Sequence, residues 1–106
     1  TGTLLNDAAE SKALRSSFDT SRCLVSSTKG ATGHCLGAAG LIEAIIAMLA
    51  LKTGQIPPTA GLEILDPSLE LSPILQTHQV QKPIQTALSV TFGFGGVNSA
   101  IAMRKV

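Results

Sequence analysis

Tryptophan and tyrosine are absent from this chain, and phenylalanine occurs only three times. Without aromatic platforms, and with eight cations scattered along the sequence, there is neither a stacking surface nor a basic face for nucleic acid. Charge is scarce as well. Eight Lys and Arg against seven Asp and Glu leave a net charge of +1, and charged residues make up 14% of the 106. Hydrophobic residues make up 44%, a balance poor in charge for a free-standing soluble domain. A small domain has much surface to cover relative to its core, so this composition suits a segment buried within something larger. The core it contributes must be aliphatic and alanine-rich.

The two cysteines, Cys23 and Cys35, provide no disulfide framework and no metal-binding spacing, and they read as free thiols in a reducing cytoplasm. No metal is expected. Thr1-Gly2-Thr3 is polar and lacks an initiator Met, so the chain is expected to be cut from a longer one. The most apolar stretch, residues 36–51, falls short of the ~18 residues that read as a membrane span. It also carries Glu43 near its middle and is ended by Lys52, Gly54 and Pro57-Pro58. It is expected to be a helix buried in protein, with no membrane span.

Residues 6–18 read as a helix, with Asp7 capping it, Glu10 completing a capping box, and Leu14 with Phe18 one turn apart. Cys23-Leu24-Val25-Ser26 suits a short buried strand. Residues 27–34 are too rich in Gly, Ser and Thr for regular structure. From Cys35 to Lys52 the pattern is helical and apolar nearly all round, as in a central helix. Gly33, Gly37 and Gly40 are spaced to share one face of it and to admit another backbone closely. Residues 55–82 hold Pro57, Pro58, Pro67 and Pro73 and read as loop, with His78 at the surface. Thr86–Thr91 and Val97–Met103 read as strands joined by the glycine-rich turn Phe92-Gly93-Phe94-Gly95-Gly96, in an antiparallel hairpin. The order helix, strand, helix, two strands is an α/β arrangement lacking its first strand.

The strongest chemical constellation is Lys29, His34 and Glu43. Lys29 and His34 stand in a strand-to-helix turn whose amides and helix N-terminus favour negative charge. A reaction that develops enolate or carboxylate charge needs such a setting, with a neutral imidazole donating a hydrogen bond. Glu43, on an apolar helix, needs a cation, and Lys29 is the best placed. The same trio would equally serve as a buried ion pair beside a satisfied core histidine. A phosphate cradle fits poorly: Gly30-x-x-Gly33-x-x-x-Gly37 matches neither nucleotide-binding glycine pattern, and its lysine precedes the glycines. The Phe92–Gly96 turn reads either as a mobile aromatic gate or as a tight hairpin whose rings fill core.

Taken together these segments resemble the β-ketoacyl-acyl-carrier-protein synthases, the condensing enzymes of the thiolase-like superfamily. Thr1-Gly2-Thr3 is similar to the end of that family's His-Gly-Thr-Gly-Thr motif. Ser27-Thr28-Lys29-Gly30-Ala31-Thr32-Gly33-His34, followed by Leu36-Gly37-Ala38-Ala39-Gly40 and Glu43-Ala44, resembles its Lys and His block. Ile56-Pro57-Pro58-Thr59 and Phe92-Gly93-Phe94-Gly95-Gly96-Val97-Asn98 match two further segments in the same order. The likeness runs essentially the whole length, and four ordered motifs make it specific.

The resemblance implies an α/β fold: residues 1–106 would be a C-terminal fragment, most of the second half of a thiolase-like layered α-β-α domain, lacking its first strands. It implies an acyltransferase, catalysing decarboxylative Claisen condensation of a malonyl-carrier with an acyl thioester in fatty-acid or polyketide-like synthesis. The partners implied are acyl carrier protein, its phosphopantetheine-borne malonyl and acyl thioesters, and a second copy in a homodimer, with no cofactor bound by the chain itself. By motif, His34 is the second catalytic histidine, Lys29 the supporting lysine and Glu43 its structural carboxylate partner. Thr1 and Thr3 match threonines that bond the phosphopantetheine arm, and Phe92 and Phe94 match gating phenylalanines. The nucleophilic cysteine and first histidine fall outside these residues, since neither Cys23 nor Cys35 fits the nucleophile motif, so the 106 residues alone are expected to be inactive. Thiolases share the fold but lack the Lys29-to-His34 spacing, and they carry a Cys-x-Gly where this chain has Phe92-Gly93-Phe94. A non-catalytic, chain-length-setting partner of the same fold is the rival reading.

Overall fold

The computed structural model describes residues 1–71 and 80–106, which fall into two units. The first comprises Thr1–Gly33 with residues 58–71. Its main element is helix α1, Leu4–Ser17, which starts after an extended Thr3. Asp7 lies in the first turn and Arg15 in the last, where each charge suits the helix dipole. The helix therefore begins before Asp7, so Asp7 and Glu10 sit inside it and the expected capping box does not form. The Thr3 hydroxyl makes no cap and lies 3.1 Å from Thr1 Oγ1 instead.

Two contacts tie α1 to the 3-10 turn Pro67–Leu69. Buried Ser11 donates to the Leu69 carbonyl, and Arg15 pairs with Glu70 at 2.5 Å. Asp66 caps that turn by accepting from the Ser68 N–H at 2.8 Å. The expected strand at residues 23–26 is reduced to a single bridge residue, Val25, in half-buried chain. The segment after it is more regular than its composition indicated. Lys29–Thr32 closes a single turn of helix, α2, which ends on Gly33 at φ 73°.

The second unit comprises His34–Pro57 with residues 80–106. A 3-10 turn, Leu36–Ala38, leads into helix α3, Ala39–Thr53, which stops at Gly54 in the left-handed region with its N–H on the Ala50 carbonyl. The short strands β1, Gln55–Ile56, and β2, Val80–Gln81, pair antiparallel. Strands β3, Thr86–Phe92, and β4, Asn98–Arg104, form the expected antiparallel hairpin, in register from Thr86↔Arg104 to Phe92↔Asn98. Gly93 N–H to Val97 O (2.8 Å) closes its turn, where Gly95 and Gly96 take φ of 74° and 80°.

Helix α3 packs along β3, and a side chain added at Gly40 would meet Thr91 Oγ1 at 3.4 Å. Thr91 thus faces the helix, as do Ser89, which is buried, and Ala87, two and four residues back on the same strand face. Among the described residues Leu41, Ile45, Met48 and Leu49 of α3 form an exposed apolar stripe, which corrects the expectation of burial all round. The expected three-glycine face does not form either, because Gly33 terminates α2, Gly37 lies in the 3-10 turn and only Gly40 abuts the sheet. Leu36–Thr53 is 18 residues long and, by length and composition alone, apolar enough to cross a membrane, so the shorter stretch read from sequence is corrected. His78 and Pro73 lie outside the described residues. Helices combined with small antiparallel sheets give the mixed α/β content expected of part of a thiolase-like domain.

Candidate active site

His34 opens the second unit, two residues before the 3-10 turn, and it is exposed. Its Nδ1 accepts the backbone N–H of Leu36 at 3.1 Å. A ring nitrogen that accepts carries no proton of its own, so the neutral ring bears its hydrogen on Nε2 and presents a donor to its surroundings. Leu36 itself lies at φ 48°, a left-handed conformation that costs a non-glycine residue about 1–2 kcal/mol. Strain of this kind collects where surrounding structure or function imposes it.

The Gly40–Thr91 contact puts the first turn of α3 beside the end of β3. The His34 end of the helix and the Phe92–Val97 turn therefore share one end of this unit. Phe92 is half-buried, whereas Phe94 is 93% exposed, so its ring fills no core among the described residues. Glu43, one turn into α3, is half-buried. At the other end of α3 a 310 Å³ cavity is lined by Leu51, Lys52, Gly54, Gln81, Ile84 and Lys105, away from His34 and outside the candidate site.

Lys29 belongs to the first unit, as the opening residue of α2, and it is half-buried. Glu10 of α1 is close enough to feel its charge. Burial raises the Glu10 carboxyl above its ordinary value, helped by Asp7, against the opposing pull of the Thr1 ammonium, then of Lys29, and of Asn6, whose amide donates to Glu10 Oε2 at 3.4 Å. Sequence reading placed Glu10 in a capping box and missed it here. Its signal is a carboxylate next to Ser11, the buried residue of α1. Two backbone features seat the Lys29 turn: Ser27 N–H donates to Thr59 Oγ1 at 3.1 Å, and Gly30 lies against Ala60.

Thr1, Thr3 and Lys29 are thus in one unit, and His34, Glu43, Phe92 and Phe94 in the other. Neither cysteine forms a disulfide among the described residues, and the Cys23 thiol donates to the Asp19 carbonyl at 3.5 Å. Among the described residues no cluster of three or more His, Cys, Asp or Glu side chains is suited to a metal ion.

Comparison with known proteins identifies the family of the chain. The family model described as the C-terminal domain of β-ketoacyl synthase matches residues 1–63. The chain is 40% identical over 110 residues to the mitochondrial 3-oxoacyl-[acyl-carrier-protein] synthase of Arabidopsis thaliana, covering all of this chain and 24% of that one. It is 40% identical over 106 residues to 3-oxoacyl-[acyl-carrier-protein] synthase 1 of Escherichia coli K12, covering all of this chain and 26% of that one. Synthase 2 of Mycobacterium leprae is 41% identical over 102 residues, 96% of this chain and 24% of the relative. The chain therefore spans about a quarter of the length of the curated relatives it matches.

Proposed function

The chain belongs to the β-ketoacyl synthase family, carrying sequence of its C-terminal domain, and from that premise we propose that the whole protein is an acyl-carrier-dependent condensing enzyme. The observation that carries this reading is the Leu36 N–H on His34 Nδ1, which leaves Nε2–H as a fixed donor. In the condensation, malonyl-carrier loses CO₂ and the electron pair of the broken C–C bond passes into the thioester as an enolate. The enolate carbon then attacks the acyl thioester carbonyl, forming the new C–C bond and expelling the enzyme thiolate. A neutral imidazole donating from Nε2 stabilises the developing enolate oxygen without consuming a proton.

Lys29 adds positive charge where the malonyl carboxylate departs, with Glu43 as the carboxylate partner that the resemblance assigns to it. The nucleophilic cysteine and first histidine are to come from residues beyond these 106, which form the C-terminal fragment of the synthase domain. Thr1 and Thr3, with hydroxyls 3.1 Å apart and exposed, suit hydrogen bonding to a phosphopantetheine arm. Phe92 and Phe94 on a turn with two left-handed glycines suit a gate to the acyl pocket. Acyl carrier protein is the partner on this reading, and the intact enzyme is a homodimer without a membrane span. The compartment is cytoplasmic, although one relative is named as mitochondrial.

The test is His34→Ala in the full-length enzyme. Loss of one oxyanion donor is expected to slow malonyl decarboxylation by about 10²–10³-fold and to leave acylation of the cysteine largely intact. Equal loss in both steps would overturn the role. A full-length protein that neither acylates nor decarboxylates would be the non-catalytic partner instead.

A further inference from the structure

The Lys29 turn is held from both sides by one short stretch of chain. On one side Ser27 N–H donates to Thr59 Oγ1 at 3.1 Å, a part-buried bond between residues 32 apart in sequence. On the other, a Cβ added to Gly30 would stand 1.8 Å from the Ala60 carbonyl oxygen, so α2 sits on that backbone at a distance only glycine allows. Lys29 lies between the two contacts. Shifting its backbone must break the Thr59 bond or open the Gly30 contact. Thr59 is itself stiff: its branched Cβ limits χ1, and Pro57-Pro58 restrict the chain that leads into it.

We propose that Thr59 is a positioning residue for the condensation: its Oγ1 holds the Lys29 turn, and through it the lysine ammonium, where decarboxylation needs positive charge. This rests on the reading of Lys29 given above. A valine at this position would keep the shape and remove the acceptor, leaving a half-buried Ser27 N–H without this partner. The net worth of such a bond corresponds to a rate effect of about tenfold.

The experiment uses the full-length synthase with malonyl-carrier as probe. Thr59→Val is expected to lower kcat for decarboxylation by about tenfold, with KM and the rate of cysteine acylation within about twofold of wild type. Thr59→Ser, which restores the hydroxyl, should recover the rate. Thr59→Ala removes the same acceptor without added bulk and serves if Thr59→Val fails to fold. Lys29→Met sets the reference, and adding Thr59→Val to it should cost nothing further if the threonine acts through the lysine.

Normal decarboxylation in Lys29→Met would overturn the reading of the site, whatever Thr59 does. Slow decarboxylation in Lys29→Met combined with a normal rate in Thr59→Val would overturn the Thr59 assignment alone. So would a Thr59→Val loss shared equally by acylation, a failure of Thr59→Ser to rescue, or a full further loss in the double variant.

Discussion

The Leu36 N–H donates to His34 Nδ1 at 3.1 Å, and at the same residue the chain turns through a left-handed φ of 48°. That N–H is aimed by the dihedrals of His34 and Cys35, whereas the φ of Leu36 directs the chain that follows into the 3-10 turn and α3, and a left-handed turn has no advantage for a leucine by itself. Leu36 is 69% exposed, so core packing does not explain the conformation.

Substitution at Leu36 should therefore follow backbone freedom and not hydrophobicity. Leu36→Gly removes a left-handed penalty of about 1–2 kcal/mol and adds back about 0.5–1 kcal/mol of unfolded-state freedom, giving a net change near zero or slightly stabilising. Decarboxylation should survive, because the N–H remains. Leu36→Ile places a branch at Cβ where φ is already unfavourable, and it should lower the melting temperature. Thermal denaturation and a decarboxylation assay on the intact synthase check the pair. A well-tolerated isoleucine alongside a damaging glycine would contradict the account.

Phe94 separates a gate from a core filler. With its ring 93% exposed, Phe94→Ala should change stability by no more than about 0.5 kcal/mol, the range of surface substitutions away from special features. If the ring closes over the acyl chain, turnover should change and the preference among acyl lengths should shift. Steady-state kinetics over a series of acyl thioesters, with melting curves beside them, is the measurement. A drop in melting temperature with unchanged kinetics would assign the ring to packing.

Glu10 supplies a pH dependence whose sign follows from its shift. Burial raises its carboxyl above the ordinary 4.5, so the folded protein holds this proton more tightly than the unfolded chain. Below 4.5 both states are protonated and the group is neutral in the balance. As pH climbs above 4.5 the unfolded chain ionises first, and stability falls until the folded carboxyl has ionised too. Glu10→Gln should accordingly raise the melting temperature at neutral pH, with the gain disappearing in acid. A gain independent of pH would point to shape instead of ionisation.

How far the fold could be read in advance varied with the kind of signal. The hairpin was legible because two runs of β-formers flank a dense glycine turn, and α3 because its apolar run is long. Residues 23–26 were not, since a four-residue apolar run carries no period that fixes its structure. The α1 start was misplaced because Asp7 is a better capping residue by type than Thr3, yet the helix extends back through Leu4 and Leu5. In the site, His34 and Lys29 stood out through motif and spacing. Their surroundings did not: Leu36 acts through its backbone, Thr59 stood in a matched segment but its bond spans 32 residues to the Ser27 N–H, and Glu10 matters through burial.

The hairpin register has a consequence for amide exchange. Lys105 N–H bonds Gln85 O at one end of the ladder and Gly93 N–H bonds Val97 O at the other, which makes the odd-numbered residues of both strands the hydrogen-bonded pairs. The amides of residues 86, 88, 90 and 92 on β3, and of 98, 100, 102 and 104 on β4, then point away from the partner strand. Deuterium uptake should sort by parity, slow at odd positions and fast at even ones, wherever this sheet has only two strands. In the intact synthase, a further strand laid along β3 would slow its even set and leave that of β4 fast, and one along β4 would do the reverse. The uptake pattern of eight amides thus reports on which rim of the sheet the rest of the enzyme closes.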